Sequence, residues 1–281
     1  HIAVNFEKLL KIGLQGYLNE TEQAERNLSE SDGEYFSKRN FYTALKKGIR
    51  SFQSFIERYE RLASELSFHA PGPDRKSELI KISACCRNIK NNPPEGFYEA
   101  LQLTWFVQLV LQIESNGHSV SLGRMDQYLL RFYEEDKAAG RITTDFALEL
   151  LENTWLKLLS VNKIRSWSHT RFSAGGPLYQ NVTIGGQTTD GRDAVNELSF
   201  LILDSVGRMK LTQPNLSVRF HKNINPEFLS CCVDVIGKGF GMPAFNNDEI
   251  VIPSLIGLGV AKKDAYNYSA IGCIEIAVPG K

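Results

Sequence analysis

The first part of the chain has a helical pattern of hydrophobic and polar positions. Apolar residues recur every three to four positions, and charged residues occupy the rest of each surface. A Pro-Gly-Pro breaker at 71–73 separates the second helix from the third, and Asn-Pro-Pro-Glu at 92–95 supplies a cap and prolines before the fourth. The pattern predicts helices, in chain order, over residues 6–18, 35–66, 74–89 and 97–113.

The fourth predicted helix is almost entirely apolar. Thr104, Gln108 and Gln112 form a polar stripe at helical spacing along it. No uninterrupted apolar run is long enough to cross a bilayer. We therefore predict a buried core helix here.

From residue 117 onward the pattern changes to short apolar runs that alternate with helical segments. The runs predict strands over 118–122, 179–184, 215–220, 244–246 and 269–274. The segments between them predict helices over 125–137, 145–160, 193–209, 226–238 and 248–258. This alternation indicates an α/β fold with a parallel sheet or barrel segment, in which the loops after the strands carry the site.

Composition and charge favour a small-molecule partner. The 281 residues are 42% hydrophobic, enough for a substantial core, and 32 basic residues balance 32 acidic ones. A chain without net charge has no global field that would recruit nucleic acid or an anionic membrane. We therefore expect neither of those partners.

The cysteines do not form a disulfide or zinc pattern. The chain has five, an odd number, including two adjacent pairs, Cys85-Cys86 and Cys231-Cys232, and no Cys-x-x-Cys. Both pairs align with apolar stripes of predicted helices, so we interpret them as packing residues. Free cysteines fit a reducing cytoplasm.

The fifth cysteine lies two residues before a glutamate, in Gly272-Cys273-Ile274-Glu275. In extended backbone, side chains at i and i+2 leave on the same face, which would direct this thiol and this carboxylate at one small molecule. Taken alone the pattern is weak. The cysteine could be an inert buried residue and the glutamate could accept hydrogen bonds from backbone donors at a strand end.

Several longer segments accompany this one in a fixed order. They read Ile-Glu-Ser-Asn-Gly-His-Ser-Val-Ser at 113–121, Gly-Arg-Met-Asp-Gln-Tyr at 123–128, Tyr-Gln-Asn-Val-Thr-Ile-Gly-Gly-Gln at 179–187, Gln-Pro-Asn-Leu-Ser-Val-Arg at 213–219 and Pro-Ala-Phe-Asn-Asn-Asp-Glu at 243–249. With the Gly-Cys-Ile-Glu turn, they closely resemble the glycyl radical enzymes, in the pyruvate formate-lyase-like branch that includes the B12-independent glycerol and diol dehydratases.

The resemblance covers essentially the whole chain and implies a ten-stranded α/β barrel. Residues 1–281 would be a fragment of the pyruvate formate-lyase-like domain, with a mainly helical part at 1–116 and a half-barrel at 117–281 whose active-site loop is 271–275. The chain begins at His1 without an initiator Met and contains no Arg-Val-x-Gly-Tyr-like radical loop. We therefore expect a partial chain that lacks the glycyl radical domain.

The resemblance also implies roles for individual residues. Cys273 matches the cysteine that becomes a thiyl radical and removes hydrogen from the substrate, and Glu275 would be the general base, with a pKa that we expect partial burial to raise. His118 and Ser119 match residues that hold substrate hydroxyls, and His1 resembles another active-site histidine. We expect Arg124 and Asp126, and the residues 246–248, to be structural.

The family's chemistry implies an anaerobic dehydratase or eliminase that acts on a small polyol or related hydroxylated compound. No cofactor or metal is expected in this chain. A glycine-centred radical would lie in the missing carboxy-terminal part and would be installed by an activating enzyme that uses S-adenosylmethionine and an iron–sulfur cluster. Homodimers are common in such families.

Two alternatives stay open from the sequence. One is acyl transfer of the pyruvate formate-lyase type, a formate C-acetyltransferase, which uses adjacent cysteines, whereas Cys273 has no neighbouring sulfur. The other is a catalytically silent, truncated scaffold.

Overall fold

A computed structural model describes residues 1–115, 117–172 and 178–281. Asn116, within the matched segment 113–121, lies outside the described residues. Contacts divide the chain into two compact units: Glu7–Glu95, and His1–Phe6 together with Gly96–Lys281. The predicted α/β class with a helical amino-terminal part is confirmed. The boundary at residue 116 was drawn by element type and stays a prediction.

The unit Glu7–Glu95 is helical. Its helices are α1 (Phe6–Arg26), α2 (Tyr35–Phe68) and α3 (Pro73–Ile89). The first helix is interrupted at Gly13, whose φ of 64° no ordinary side chain adopts easily. A Cβ at Gly13 would lie 2.9 Å from the backbone of Asn92 and Pro93, so the glycine also permits a close backbone contact.

Helices α2 and α3 are joined by an ion-pair cluster. Glu60 accepts from Arg87 Nε and Lys90 Nζ, both at 2.8 Å, and its backbone carbonyl accepts from Ser83 Oγ at 3.0 Å. Cys85 and Cys86 are buried, and burial raises the pKa of the Cys86 thiol to about 11. The prediction that this pair is packing is confirmed.

The second unit begins with a short strand, β1 (Ile2–Ala3), and contains the core of the fold. Its other strands are β2 (Val120–Ser121), β3 (Gly123–Arg124), β4 (Asn181–Gly185), β5 (Asn215–Phe220), β6 (Ala244–Asn247), β7 (Ser269–Ile271) and β8 (Glu275–Ala277). Strands β3 to β6 form one parallel sheet in that order, β1 pairs with β2 in parallel, and β7 and β8 form an antiparallel hairpin. In register, Val182 faces Leu216 and Val218 faces Phe245.

Helices connect these strands, as parallel pairing requires. They are α4 (Phe97–Glu114), α5 (Met125–Tyr128), α6 (Leu130–Ala138), α7 (Thr144–Leu159), α8 (Trp167–Phe172), α9 (Glu197–Met209), α10 (Pro226–Gly237), α11 (Asp248–Gly257) and α12 (Lys262–Ala265). The helix predicted over 125–137 is divided into α5 and α6. The one predicted from 193 begins only at 197, after the N-cap Asn196. The elements β1, β3, β8, α8 and α12 were not predicted.

The predicted core helix α4 is buried as expected. Thr104, Gln108 and Gln112 have no solvent exposure. Gln108 Nε2 donates to the Val120 carbonyl at 2.8 Å and to Gln180 Oε1 at 3.0 Å, which ties α4 to β2 and to the start of β4. Among the described helices, none combines the length and apolarity needed to cross a bilayer. The burial of Thr104, Gln108 and Gln112 shows that the polar stripe faces the protein interior.

Cys231 and Cys232 lie in α10 as predicted. Cys232 is fully buried, and burial raises the pKa of its thiol to about 12. Asn225 caps this helix by accepting from the backbone N–H groups of Glu227 and Phe228. All five cysteines are free.

Two buried arginines bind the segment that leads into β7. Arg219 in β5 forms a two-point ion pair with Asp248, at 2.8 Å for each contact, and its Nη1 donates to the carbonyls of Tyr266 and Tyr268. Arg124 donates to the same Tyr266 carbonyl at 3.1 Å and to the Gly185 carbonyl at 2.9 Å. Arg124 is therefore structural, as expected.

The other residues that we expected to be structural also make internal contacts. Asp126 accepts from the Gly185 N–H at 2.7 Å and from Ser199 Oγ at 2.6 Å. Asn247 caps α11 by accepting from the Glu249 N–H at 2.9 Å. Asp248 pairs with Arg219 and accepts a hydrogen bond from the Tyr268 hydroxyl at 2.7 Å.

We predict that Asp248→Ala lowers the free energy of unfolding by about 3–5 kcal/mol, because it leaves the Arg219 guanidinium buried without a counter-charge. Urea unfolding measures the loss. The double variant Arg219→Met, Asp248→Leu should recover much of it. Asp204→Ala, which removes an exposed pair with Arg208, is the control and should cost little. Equal losses for Asp248→Ala and the control would contradict the prediction.

Candidate functional site

The Gly-Cys-Ile-Glu segment forms a turn, not an extended strand. Residues 272–274 connect β7 to β8, and Gly272 has a φ of +58°. The Glu275 side chain folds back over the turn, where Oε2 accepts from the backbone N–H of Cys273 at 2.9 Å and of Ile274 at 3.2 Å. The strand predicted over 269–274 is therefore wrong beyond Ile271. The hairpin, rather than strand alternation, brings the Glu275 carboxylate against the backbone of Cys273.

The turn presents its side chains outward. Cys273 is exposed, in contrast to the buried Cys85, Cys86 and Cys232. Ile274 is 77% exposed. The thiol of Cys273 is therefore accessible to a reacting group, as a hydrogen-transferring cysteine requires and an inert core cysteine does not.

The carboxylate of Glu275 is held in its charged form. Desolvation acts to raise its pKa, but the backbone N–H groups of Glu275, Ile274 and Cys273 and the charge of His118 outweigh it and leave the pKa below the usual glutamate value. Burial acts in the expected direction, but the expectation that the pKa is raised overall is wrong. At neutral pH the group is ionised and is able to accept a proton.

His1 approaches this carboxylate from the neighbouring strand pair. Its Nδ1 lies 3.2 Å from Glu275 Oε1. The residue that follows, Ile2, donates its backbone N–H to the Ser119 carbonyl at 3.1 Å, and β1 pairs with β2 in parallel. The pairing thus fixes His1 at the site.

His118 and Ser119 lie next to His1. The rings of His1 and His118 are 5.2 Å apart. Ser119 is fully buried at a φ of 59°, and a Cβ at Gly272 would lie 3.0 Å from its Oγ. The structure therefore places His1, His118, Ser119 and Glu275 beside the turn that bears Cys273, whose own contact with Glu275 is made by its backbone N–H.

Burial lowers the pKa of His118, and the charges of Arg165 and His169 lower it further, although Glu275 acts in the opposite direction. His118 is consequently neutral at pH 7. Its Nδ1 is buried and makes no hydrogen bond within the described residues. The Ser119 hydroxyl is also buried and makes no hydrogen bond within the described residues. Both groups are able to bind a polar ligand.

Four nearby residues were not singled out from the sequence. Asn181 Nδ2 donates to the Gly272 carbonyl at 3.4 Å, and Tyr179 packs edge-on against His118 with ring centroids 5.3 Å apart. Both lie in the segment 179–187, which served only for the resemblance. Arg165 and His169 lie in a polar stretch without an apolar period, so no pattern marked them.

No group of three or more His, Cys, Asp or Glu side chains within residues 1–115, 117–172 and 178–281 is arranged to hold a metal ion.

The sequence model of the pyruvate formate lyase-like family matches residues 1–281, the full length of the chain. This chain belongs to the pyruvate formate lyase-like family. It is 51% identical over 285 aligned residues to the probable dehydratase YbiW of Escherichia coli (strain K12). It is 34% identical to the (2S)-3-sulfopropanediol dehydratase of Klebsiella oxytoca. Each alignment covers 100% of this chain.

Solved structures of the family have the same fold. The glycerol-bound B12-independent glycerol dehydratase of Clostridium butyricum is 37% identical and superposes with a TM-score of 0.95 over 100% of this chain. The structure concerned with 1,2-propanediol dehydration in Roseburia inulinivorans is also 37% identical, with a TM-score of 0.96. The predicted fold, part of the α/β barrel of the glycyl radical enzymes with a helical amino-terminal part, is thereby confirmed.

This pyruvate formate lyase-like chain spans about a third of the relatives' length. It covers 35% of the E. coli protein and 34% of the Klebsiella protein. Of the Clostridium butyricum structure it covers 35%.

We predict that Gly272→Ala destabilises the protein more than Gly259→Ala does. Both glycines have positive φ, +58° and +89°, so each alanine carries a backbone strain of about 1–2 kcal/mol. Only at Gly272 would the new methyl group collide with Glu275 Oε2, while Gly259 has no atom within 4 Å. Thermal unfolding of the two variants compares them. Equal unfolding midpoints would mean that the Glu275 carboxylate tolerates a methyl group at position 272, and would contradict the prediction.

Proposed function

We propose that this chain carries the reacting cysteine and the proton-accepting carboxylate of a glycyl radical dehydratase that acts on a small polyol or related hydroxylated compound. The observation that supports this most strongly is the exposed Cys273 on a turn whose two amides are bound by the ionised Glu275. The relatives described above agree with it, because they are dehydratases of glycerol, 1,2-propanediol or sulfopropanediol.

The turn suits hydrogen-atom transfer. The glycine-centred radical that the family resemblance assigns to another part of the enzyme supplies the unpaired electron. An S–H bond is close in strength to the C–H bond of an alcohol carbon, so the Cys273 sulfur takes a hydrogen atom from that carbon reversibly and becomes a thiol. A thiolate acting as a nucleophile would not do this. The accessible thiol fits the requirement.

Glu275 completes the reaction by accepting a proton. Loss of hydrogen from the alcohol carbon makes its hydroxyl far more acidic, and the ionised carboxylate takes that proton. The bond to the neighbouring hydroxyl then breaks, and that hydroxyl takes up the proton held by Glu275 and leaves as water. The Cys273 thiol returns its hydrogen atom to the organic radical. The products are an aldehyde and water from a vicinal diol.

His118, Ser119 and His1 have complementary roles in this proposal. The buried, unpartnered Nδ1 of His118 and hydroxyl of Ser119 would hold the substrate hydroxyls. His1, 3.2 Å from Glu275 Oε1, would orient the second carboxylate oxygen. The alternative of acyl transfer is disfavoured, because a single sulfur cannot both abstract hydrogen and carry an acyl group.

The proposal extends to partners and location. Activation by an iron–sulfur enzyme that uses S-adenosylmethionine follows from the chemistry of the family. Anaerobic metabolism, a cytoplasmic location and a homodimer stay predictions.

We predict that Cys273→Ser in the activated full-length enzyme abolishes aldehyde formation from a vicinal diol, since an O–H bond is too strong to exchange hydrogen with a C–H bond. The glycine radical signal in electron paramagnetic resonance should persist. Cys231→Ser, in α10, is the control and should retain activity. Aldehyde formation by the Cys273→Ser protein would refute the proposed function.

We predict that Glu275→Gln lowers the rate of dehydration about 10²- to 10⁴-fold, the usual contribution of a positioned general base. The amide oxygen of glutamine is still able to accept from the N–H groups of Cys273 and Ile274, so the turn should persist. The rate of aldehyde release and the melting temperature measure the two effects. A slow variant with an unchanged melting temperature supports the role, and full activity contradicts it.

A further inference from the structure

A group of basic side chains lies beside His118. Arg165 Nη2 donates to the carbonyl of Gly117, the residue before His118, at 2.8 Å. His169 in α8 has its ring 5.4 Å from the His118 ring, and both basic residues act electrostatically on His118. Lys163 is close enough to Arg165 to feel its charge. Lys163, Arg165 and His169 are called the basic cluster below.

The basic cluster has no counter-charge. Among the described residues, no carboxylate lies within ion-pair distance of any of its three members or of His118. The nearest acid that acts on His118 is Glu275, which is already occupied by His1 and by the two turn amides. Concentrated positive charge without a partner is costly in a partly buried region.

The basic cluster also contains buried nitrogen atoms without partners. Arg165 Nε, His169 Nε2 and His118 Nδ1 are all buried and make no hydrogen bond within the described residues. Buried polar groups are nearly always paired in folded proteins. Three unpaired nitrogens on neighbouring side chains indicate a place where a ligand supplies the acceptors.

A purely structural role accounts for only part of this arrangement. Lys163 Nζ donates to the Gln112 carbonyl in the last turn of α4, and Arg165 donates to Gly117, so both bind backbone near a helix end where cations are favoured. These contacts leave Arg165 Nε and His169 Nε2 without a hydrogen-bond partner within the described residues. They also leave the positive charge uncompensated.

We propose that Arg165 and His169 form a subsite for an anionic, oxygen-rich substituent of the substrate, such as a carboxylate or a sulfonate. The inference rests on the proposed function for the reaction itself. The His118 ring lies 5.2 Å from the ring of His1, which contacts Glu275, and 5.4 Å from the ring of His169. A short substrate whose hydroxyls are held at His118 would therefore place its anionic end at the basic cluster. Arginine matches such a group because its planar fork binds two oxygens.

The test compares two three-carbon diols that differ by one charged group, 2,3-dihydroxypropane-1-sulfonate and 1,2-propanediol. Calorimetry measures their binding to the full-length protein before activation, so no turnover is needed. We expect the wild type to bind the sulfonate at least about 10-fold more tightly. Arg165→Gln and His169→Gln should weaken sulfonate binding about 10- to 100-fold, the effect of removing a charged hydrogen bond, and should weaken propanediol binding far less.

Arg171→Gln is the matched control, because Arg171 carries the same charge on α8 but is exposed and stacks on Trp167. It should leave both affinities unchanged. If Arg165→Gln does not fold, His169→Gln decides the same comparison. Equal wild-type binding of the two diols, or a preference that survives both His169→Gln and Arg165→Gln, overturns the subsite.

The same two diols separate this inference from the proposed function. Activated wild-type protein that dehydrates 1,2-propanediol but shows no preference for the sulfonate retains the function and loses the subsite. Protein that prefers the sulfonate through Arg165 but forms no aldehyde from either diol retains the subsite and loses the function.

Discussion

The backbone carbonyl of Tyr266 accepts hydrogen bonds from two buried guanidinium groups, and the geometry of the candidate site depends on this convergence. Arg124 reaches it from the end of β3 and Arg219 from β5, so two strands of the parallel sheet hold one point of the segment that enters β7. Arg219 also lies over the Tyr268 ring at 4.0 Å and is neutralised by Asp248. A buried charge with one well-fitting acid and several carbonyls tolerates little displacement. The segment before β7 therefore fixes the position of the hairpin that bears Cys273.

The elements that the sequence predicted well are those with a long or regular pattern. Strands β4 (Asn-Val-Thr-Ile-Gly) and β5 (Asn-Leu-Ser-Val-Arg-Phe) alternate polar and apolar residues with the period of a strand, and their bounds agree with the structure to within about two residues. Strands of two or three residues such as β1 and β8 leave no period to detect. The segment that mattered most, 272–275, was assigned an extended backbone because its letters do not reveal that Gly272 takes a positive φ. Because Gly272 has a positive φ, the chain turns there and the Glu275 carboxylate binds the N–H groups of Cys273 and Ile274.

The five site residues were found through the resemblance of whole segments, and no spacing rule would have assembled them. His1 and Glu275 lie at opposite ends of the chain and meet only because β1 pairs with β2 while the hairpin is adjacent. Arg165 and His169 were missed because isolated basic residues in a polar stretch have many harmless explanations. Glu275 accepts hydrogen bonds from backbone donors, and its role as general base is our proposal. Its bonds to the turn amides lower its pKa, and each unit of that lowering costs about 1.4 kcal/mol of basicity. The substrate hydroxyl must therefore become strongly acidic before transfer, and hydrogen loss from its carbon supplies that acidity.

The positive charges of Arg165 and His169 help to keep His118 neutral. Arg165 and His169 disfavour a proton on His118, so an anion bound between them would act in the opposite direction and bring the pKa of His118 back toward its ordinary value. Linkage requires the reverse as well: protonation of His118 would tighten the binding of that anion by the same factor. A substrate without a charged end leaves His118 neutral, limited to the exchange of neutral hydrogen bonds with a hydroxyl. A substrate with such an end makes a proton available next to the group that must leave as water. Charge at one end of the substrate would thus be coupled to proton supply at the other, through a single imidazole.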